Sequence, residues 1–264
     1  MNLTNDLQNM GLQKGDTVYI HTSLKSMGVI DGGASTFIDS ILAAVGEEGT
    51  FAVPTHTLSF EKANFGTTPY EKSSTSCKAF VGVFPEIVFN HPKAKRSGHG
   101  SHSSAAIGAR AEYLTSDHDP THAMGKSSPL YKLYESNGKI LLVGTGFNRC
   151  TIIHMAESMA KVPYVKLQYD ASWGDIVIVK NNDGSLQAYK QIEFPGCSEK
   201  FKILEAKLND KIKRAFVGEA PAILINAREL VDTAVEMLKA RNDIFLCDDK
   251  NCCCCPPRRI LTSS

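Results

Sequence analysis

Residues 139–157 read Lys139-Ile-Leu-Leu-Val-Gly-Thr-Gly-Phe-Asn-Arg-Cys-Thr-Ile-Ile-His-Met-Ala-Glu157. The first five residues form a short apolar run, which is typical of a buried strand. Gly144 and Gly146 follow this run and give the backbone the freedom to turn. From residue 151 to about residue 160 the apolar side chains recur with a helical period, which predicts a helix. A strand, a glycine turn and a helix in this order indicate a layered α/β sheet.

His154 and Glu157 are the chemically active residues of this predicted helix. They lie three positions apart, so they share one face of the helix. Histidine is the side chain whose unperturbed pKa lies closest to neutral pH, which suits a general base. A helix that follows a buried strand also starts at the edge of the sheet where ligands bind. A histidine that satisfies a hydrogen bond in the core fits the same spacing, so the spacing alone leaves both roles open.

The rest of the chain repeats the alternation of strand, turn and helix. His21 and His56 each follow a predicted strand directly, so they are expected at the same sheet edge. We predict strands over 17–20, 50–53 and 222–225, helices over 35–45, 83–90, 105–114, 199–214 and 227–240, a hairpin joining 177–179 to 187–191, and a loop or lid over 57–78.

Composition limits the classes of protein to which the chain can belong. The 264 residues are 42% hydrophobic, and 29 basic residues balance 28 acidic ones. This balance offers no basic surface for nucleic acid and no polybasic patch for a membrane. No run approaches the ~18 apolar residues of a membrane span, and the amino end does not resemble a signal peptide. We therefore expect a cytoplasmic protein with a single α/β domain over 1–246 and a cysteine-rich tail over 247–264.

Several common active-site motifs are missing from the sequence. The chain contains no Gly-x4-Gly-Lys-Ser/Thr loop, and no dinucleotide fingerprint opens the first strand–helix unit. His154 and Glu157 lack the second histidine of a His-Glu-x-x-His zinc site. These observations argue against a P-loop NTPase, a Rossmann dehydrogenase and a zinc protease.

The cysteines leave two alternative functions open. Cys150 lies four residues before His154, so it is a candidate nucleophile for acyl transfer or thioester hydrolysis. In the tail, Cys247, Cys252 and Cys255 have a spacing that can hold a metal if a fourth ligand comes from elsewhere. A metal-binding or redox-responsive protein is therefore the second alternative, although a tail without metal fits the sequence equally well.

Six segments, taken in order, resemble the aminoglycoside 3-N-acetyltransferase family of antibiotic N-acetyltransferases. They are Gly15-Asp-Thr-Val-Tyr-Ile-His-Thr-Ser-Leu-Lys-Ser-Met-Gly28, Gly49-Thr-Phe-Ala-Val-Pro-Thr55, Arg96-Ser-x-His99 with Ser103, Gly125-Lys-Ser-Ser-Pro-Leu130, Lys139-Ile-Leu-Leu-Val-Gly144 and Thr151-Ile-Ile-His-Met-Ala-Glu157. The resemblance covers roughly residues 10–240. It implies a three-layer α/β/α fold around a mixed sheet, different from the GNAT fold.

The resemblance also implies an activity, namely direct transfer of an acetyl group from acetyl-CoA to an amine. The expected acceptor is the 3-amino group of an aminoglycoside, and His154 matches the catalytic histidine. Glu193 matches the acidic partner that follows the hairpin, and Glu157 is a second acidic candidate. The expected partners are this small-molecule amine and CoA, and a homodimer is a candidate assembly.

The residues expected near the cofactor or the acceptor entrance come from three parts of the chain. They are His21, Thr22, Ser23 and Leu24 in the first loop, then Arg96, Ser97 and Ser103, and finally Ser128. Because a polycationic antibiotic calls for several carboxylates and only Glu157, Glu193 and Asp119 can be placed near the site, another amine remains an alternative acceptor.

Overall fold

A computed structural model describes residues 2–62 and 68–262. Its main feature is a seven-stranded mixed sheet with the order β3-β4-β2-β1-β5-β9-β8. The strands are β1 (Thr17–Thr22), β2 (Thr50–Pro54), β3 (Lys95–Arg96), β4 (Ser104–Gly108), β5 (Lys139–Val143), β6 (Ile176–Lys180), β7 (Leu186–Lys190), β8 (Lys213–Val217) and β9 (Ala220–Asn226). The three central strands β2, β1 and β5 are parallel, whereas β4 and β9 run antiparallel to their neighbours. Strands β6 and β7 form a separate hairpin.

Helices cover both faces of the sheet. They are α1 (Leu3–Met10), α2 (Gly33–Val45), α3 (Lys78–Val81), α4 (Val83–Phe89), α5 (Ala111–Thr115), α6 (Pro129–Glu135), α7 (Ile153–Met159), α8 (Ile203–Lys207), α9 (Ala227–Ala240) and α10 (Cys255–Ile260). Apolar residues of α1, α2 and α4 form the core on one face, and those of α5, α6, α7 and α9 form the core on the other. The expected three-layer α/β/α fold is therefore confirmed.

Alternation along the strands explains why both faces are apolar. In β1, Val18 and Ile20 enter one core cluster while Tyr19 enters the other. In β5, Leu141 and Leu142 divide in the same way. A strand covered on both faces must be apolar at every position, which is why β5 appears in the sequence as a continuous apolar run.

Two of the expected helices are wrong. Residues 104–108 form strand β4, which pairs antiparallel with β2. Ala105 and Ala106 suit this position because they are buried on opposite faces of the sheet, where the neighbouring helices leave little room. The charged stretch 199–214 contains a 3₁₀ turn, the short helix α8 and the start of β8. Most of its charged residues are exposed, and they are divided among these elements instead of lying along one long helix.

The hairpin β6–β7 supports a loop that crosses it. Phe60 bridges to Val177, and Tyr70 bridges to Val179. Leu58, Phe60 and Val177 form a small apolar cluster with Trp173 packed against it. Of the loop expected over 57–78, residues 63–67 lie outside the described residues.

The C-terminal segment packs against the body of the protein. Cys247 and Cys255 belong to the same core cluster as α7 and α9, and Arg258 is only 1% exposed. Within the expected tail 247–264, the buried residues reach Arg258, whereas Ile260 and Leu261 are exposed, and residues 263–264 lie outside the described residues. Among the described helices, none combines the length and the apolar character that crossing a membrane requires.

Candidate active site

A cavity of about 560 Å³ opens at the carboxyl ends of the three parallel strands. This volume falls within the usual range for small-molecule sites, and the position is the one that α/β sheets use for ligands. His21, Thr22 and Ser23 line the cavity at the end of β1, His56 lines it beyond β2, and Thr145 lines it beyond β5. The far wall includes Trp173 and the segment 195–198, of which Pro195, Gly196 and Ser198 line the cavity.

The turn after β5 directs the chain into α7. Gly144 has φ of +63°, a left-handed conformation that disfavours other residues. A side chain there would also lie 2.8 Å from the Ser26 hydroxyl oxygen. This close approach lets α7 begin beside the cavity, which places His154 on its wall.

His154 and Glu157 form a buried pair. Nδ1 of His154 lies 2.7 Å from Oε2 of Glu157, and the two residues are 8% and 2% exposed. The hydroxyl of Tyr164 donates to the other oxygen, Oε1, at 3.0 Å. The ring of Phe201 packs edge-on against the imidazole with 4.8 Å between the ring centroids. These contacts hold the imidazole in one orientation.

The pairing also determines which nitrogen of His154 is available. A carboxylate can only accept hydrogen bonds, so the proton of a neutral imidazole resides on Nδ1. Nε2 then keeps its lone pair, and His154 lines the cavity. A histidine oriented in this way by a carboxylate has the arrangement of a general base.

Three further imidazoles, those of His21, His56 and His102, line the same cavity. The rings of His56 and His102 are 4.8 Å apart. Burial lowers the pKa of His21 and of His102 to about 3, and burial followed by the neighbouring imidazoles lowers the pKa of His56 well below its ordinary value. Nε2 of His21 is buried and has no partner in the described structure. Near neutral pH these rings contribute hydrogen-bonding groups rather than charge.

Arg96, Ser97 and Ser103 do not line the cavity. The Arg96 guanidinium donates to the carbonyl and hydroxyl oxygens of Thr55 at 2.9 and 3.1 Å and to the carbonyl of Thr75 at 2.6 Å. The Ser103 hydroxyl donates to the same Thr55 carbonyl at 2.7 Å. Their observed contacts are therefore to the backbone and side chain of the neighbouring loop.

Ser97 belongs to a chain of buried hydrogen bonds. Its hydroxyl accepts from the Ser104 N–H at 3.0 Å and lies 3.0 Å from Nδ1 of His118. Nε2 of His118 lies 3.2 Å from the Ala123 carbonyl, so Nε2 carries the proton and Nδ1 accepts from Ser97. Burial lowers the pKa of His118 to about 4, which keeps this ring neutral.

Two other expected contact residues also lie outside the cavity wall. Ser128 caps α6 by accepting from the Tyr131 N–H at 3.2 Å, and it is buried. Leu24 starts a 3₁₀ turn and packs against the core.

Glu193 does not contact His154. It accepts a 2.6 Å hydrogen bond from the hydroxyl of Ser158. The carboxylate beside His154 is that of Glu157, because the i, i+3 spacing within one helix brings these two side chains together. Of the two expected acidic residues, Glu157 is the one that the structure pairs with His154, and a catalytic role for either stays a prediction.

The thiol of Cys150 faces the core rather than the cavity. The residue is fully buried in the main apolar cluster, and burial raises the pKa of its thiol. A reactive cysteine needs an accessible thiolate, so this environment is that of an inert structural cysteine. Cys247, Cys252 and Cys255 likewise do not line the cavity, and their sulfur atoms gather with that of Cys197.

Sequence reasoning missed several residues of the site. Tyr164 reaches Glu157 only because a 3₁₀ turn over Pro163–Lys166 folds back against α7, and no residue spacing announces this contact. His56, by contrast, is expected at this sheet edge because it follows a predicted strand, and it does line the cavity. Arg149 is the only lysine or arginine among the described residues that line the cavity, and none of those residues is an aspartate or glutamate.

Comparison with known proteins gives a consistent result. The family model for aminoglycoside 3-N-acetyltransferase matches residues 19–239. The chain is 30% identical over 246 residues to aminoglycoside N(3)-acetyltransferase IV from Salmonella sp., covering 92% of this chain and 88% of that protein. It is 31% identical over 250 residues to the SPbeta prophage-derived aminoglycoside N(3')-acetyltransferase-like protein YokD from Bacillus subtilis (strain 168), covering 88% and 89%.

A solved structure adds a comparison of the folds. The chain resembles a histidine-to-alanine mutant of aminoglycoside acetyltransferase AAC(3)-IVa in complex with a gentamicin. The TM-score is 0.82 at 28% sequence identity, and the match covers 97% of this chain and 95% of that one.

Proposed function

The chain belongs to the aminoglycoside 3-N-acetyltransferase family, and from this membership we propose that it transfers the acetyl group of acetyl-CoA to the 3-amino group of an aminoglycoside. As a member of this family it is an acyltransferase. The observation that carries the proposal is the His154–Glu157 pair on the wall of a cavity at the carboxyl ends of the parallel strands.

In the proposed reaction, the lone pair of the neutral amine forms a bond with the thioester carbon, and Nε2 of His154 takes the proton that the nitrogen loses as this bond forms. The tetrahedral intermediate then collapses as the carbon–sulfur bond breaks. The products are the N-acetylated amine and CoA, and the proton held by His154 leaves with the thiolate or to solvent. Glu157 stabilises the imidazolium that forms during this step, as carboxylates do in related histidine pairs.

The oxyanion of the intermediate needs fixed hydrogen-bond donors. The turns at 22–24 and 144–147 are the candidates, because both border the cavity. Two of their amides are already engaged, since Ser23 N–H donates to the Val143 carbonyl at 2.9 Å and Gly144 N–H donates to the Pro221 carbonyl at 2.8 Å. The donors are therefore assigned to the remaining amides of these turns, which include that of Thr145.

CoA is proposed to enter along the first loop. Thr22 and Ser23 line the cavity and offer hydroxyl groups, and Arg149 offers the guanidinium that a phosphate of CoA favours. His21 lies at the same end, and its Nε2 has no hydrogen-bond partner among the described residues.

One observation favours a second class of acceptor. A polycationic aminoglycoside is normally bound by carboxylates, and the described lining residues supply none. An amine with fewer positive charges is therefore the second candidate, and it would use the same pair and the same cofactor.

The experiment is a CoA-release assay across a panel of amines. The panel contains aminoglycosides with a free 3-amino group, aminoglycosides in which that group is blocked, and singly charged amines. Turnover that depends on the free 3-amino group, with product acetylated at that nitrogen by NMR, is the expected result. Turnover confined to singly charged amines supports the second candidate, and no CoA release with any amine contradicts the proposed transfer.

A further inference from the structure

Four cysteines from three separate segments meet near the C-terminus. They are Cys197, which follows the cavity wall, Cys247, which follows α9, and Cys252 with Cys255 at the start of α10. Their four sulfur atoms all lie within 4.8 Å of one another. Cys247 and Cys255 are buried, while Cys197 and Cys252 are partly buried. Segments that are distant in the sequence thus present their thiols to one point.

This geometry is close to that of a tetrahedral metal centre. With Zn–S bonds of about 2.3 Å, the sulfur atoms of a tetrahedral site stand about 3.8 Å apart. Small movements of the side chains within the observed 4.8 Å limit reach that spacing. We infer that Cys197, Cys247, Cys252 and Cys255 bind a structural Zn²⁺ ion as a four-thiolate site. The inference concerns a site separate from the acetyl-transfer cavity and does not depend on the proposed function.

Residues 252–255 are four consecutive cysteines, and the structure shows which two of them belong to the cluster. Cys253 is exposed, so its thiol is excluded from the cluster. Cys254 is buried, but its sulfur is outside the group of four and accepts instead from the Cys197 N–H at 3.1 Å. Only Cys252 and Cys255 remain, and their separation by two residues is the usual spacing of paired zinc ligands.

Hydrogen bonds also suit a charged thiolate centre. The Cys247 N–H donates to the sulfur of Cys255 at 3.2 Å. Outer hydrogen bonds of this kind orient and stabilise metal ligands. Arg259 donates to the carbonyls of Leu246 and Cys247 at 2.9 and 3.0 Å and pairs with Asp243 at 2.8 Å, so it holds the backbone that carries Cys247.

The four cysteines lie beside residues that form the cavity wall and support the His154–Glu157 pair. Cys197 directly follows Gly196, which lines the cavity. From the tail, the buried Arg258 donates to the Phe194 carbonyl and lies 5.4 Å from the ring centre of Tyr164. Tyr164 is the residue that donates to Glu157. A metal at the four cysteines would therefore fix both the cavity wall and the support of the catalytic pair.

The test measures metal content rather than activity. Protein purified under reducing conditions is analysed for zinc by mass spectrometry, alongside Cys197→Ser, Cys252→Ser and the matched control Cys253→Ser. We expect one zinc ion per chain in the parent and in Cys253→Ser. We expect the other two variants to retain at most about one-tenth of that zinc, because a structural site needs all four ligands.

Two further measurements keep the test decisive if a variant does not fold. Zinc is removed from the parent with a chelator, and Tm is measured before removal, after removal and after Zn²⁺ is restored. Replacing Zn²⁺ by Co²⁺ should give the visible absorption bands of tetrahedral thiolate coordination. A reversible fall in Tm and these bands support the site. The inference is overturned if the protein without metal has the same Tm as the parent. It is also overturned if the four cysteines form two disulfides in protein purified under reducing conditions.

Discussion

The imidazole of His154 is joined to the carboxylate of Glu157 by a 2.7 Å hydrogen bond between Nδ1 and Oε2. Both groups are buried, and the second carboxylate oxygen accepts from Tyr164. Each oxygen of Glu157 therefore has a donor, which compensates for the cost of burying the charge. The pair fixes the tautomer of His154 and leaves Nε2 as the nitrogen available for chemistry.

Replacing Glu157 with glutamine should lower kcat by roughly 10²- to 10⁴-fold. The amide has nearly the same shape, but it can donate to Nδ1 and so favour the wrong tautomer of His154. Steady-state kinetics with acetyl-CoA and the best amine of the panel measure the change. Glu193→Gln is the matched control, since Glu193 contacts Ser158 rather than the histidine. An equal loss in both variants would contradict the role given to Glu157.

Replacing Cys150 with serine should leave kcat within about threefold of the parent value, because a buried structural cysteine is chemically inert. Intact-protein mass spectrometry after incubation with acetyl-CoA, without an amine, should show no acetylated chain. An acetyl group on Cys150, lost in the serine variant, would instead establish a covalent intermediate and refute direct transfer.

Stability should decrease as the pH falls below about 6.5, the ordinary pKa of histidine in an unfolded chain. Burial lowers the pKa of His21 to about 3 and that of His118 to about 4 in the folded protein. Between about pH 6.5 and about pH 4 the unfolded chain therefore binds more protons than the folded chain, so acid favours unfolding. Each of these histidines contributes a slope of about 1.4 kcal/mol per pH unit.

Urea unfolding at several pH values between about 7.5 and about 4.5 measures this slope. His118→Gln should reduce it by about 1.4 kcal/mol per pH unit, whatever its effect on stability at neutral pH. The same slope in the variant and the parent would show that His118 already titrates normally in the folded state.

Replacing Gly196 with alanine should destabilise the protein by about 1–3 kcal/mol through overpacking. The added methyl group would clash with the sulfur of Cys254 and lie 2.6 Å from Nη1 of Arg258. Both neighbours are buried, so they have little room to move. The control is Gly98→Ala, where no atom of the described residues lies within 4 Å of the added carbon. Equal Tm values for the two variants would contradict the packing described for the tail.

Local patterns in the sequence predict the centre of the fold well. Strand β5 and helix α9 are found over the expected residues. In an α/β protein a short buried apolar run predicts a strand, and a regular helical period predicts a helix. Strand β4 is not predicted, because Ala-Ala-Ile is short and fits a helix as readily as a buried strand. What decides between them is the pairing of β4 with β2, a strand that is distant in the chain.

The candidate site likewise contains some contacts that the sequence predicts and others that it does not. His154 and Glu157 are neighbours on one helix, so their spacing already indicates that they meet. The contact of Tyr164 with Glu157 and the meeting of Cys197 with the tail cysteines depend on how distant segments fold back. Arg96 and Ser97 show the converse, since a polar loop in sequence becomes a buried network whose hydrogen bonds are made within the protein.

The most direct test of the account is to replace His154 with alanine and to measure acetyl transfer and CoA binding in the same preparation. If Nε2 of His154 removes the proton of the attacking amine, kcat should fall by roughly 10²- to 10⁴-fold while CoA binding stays measurable by calorimetry. Turnover close to that of the parent enzyme would contradict the assignment of His154 as the general base.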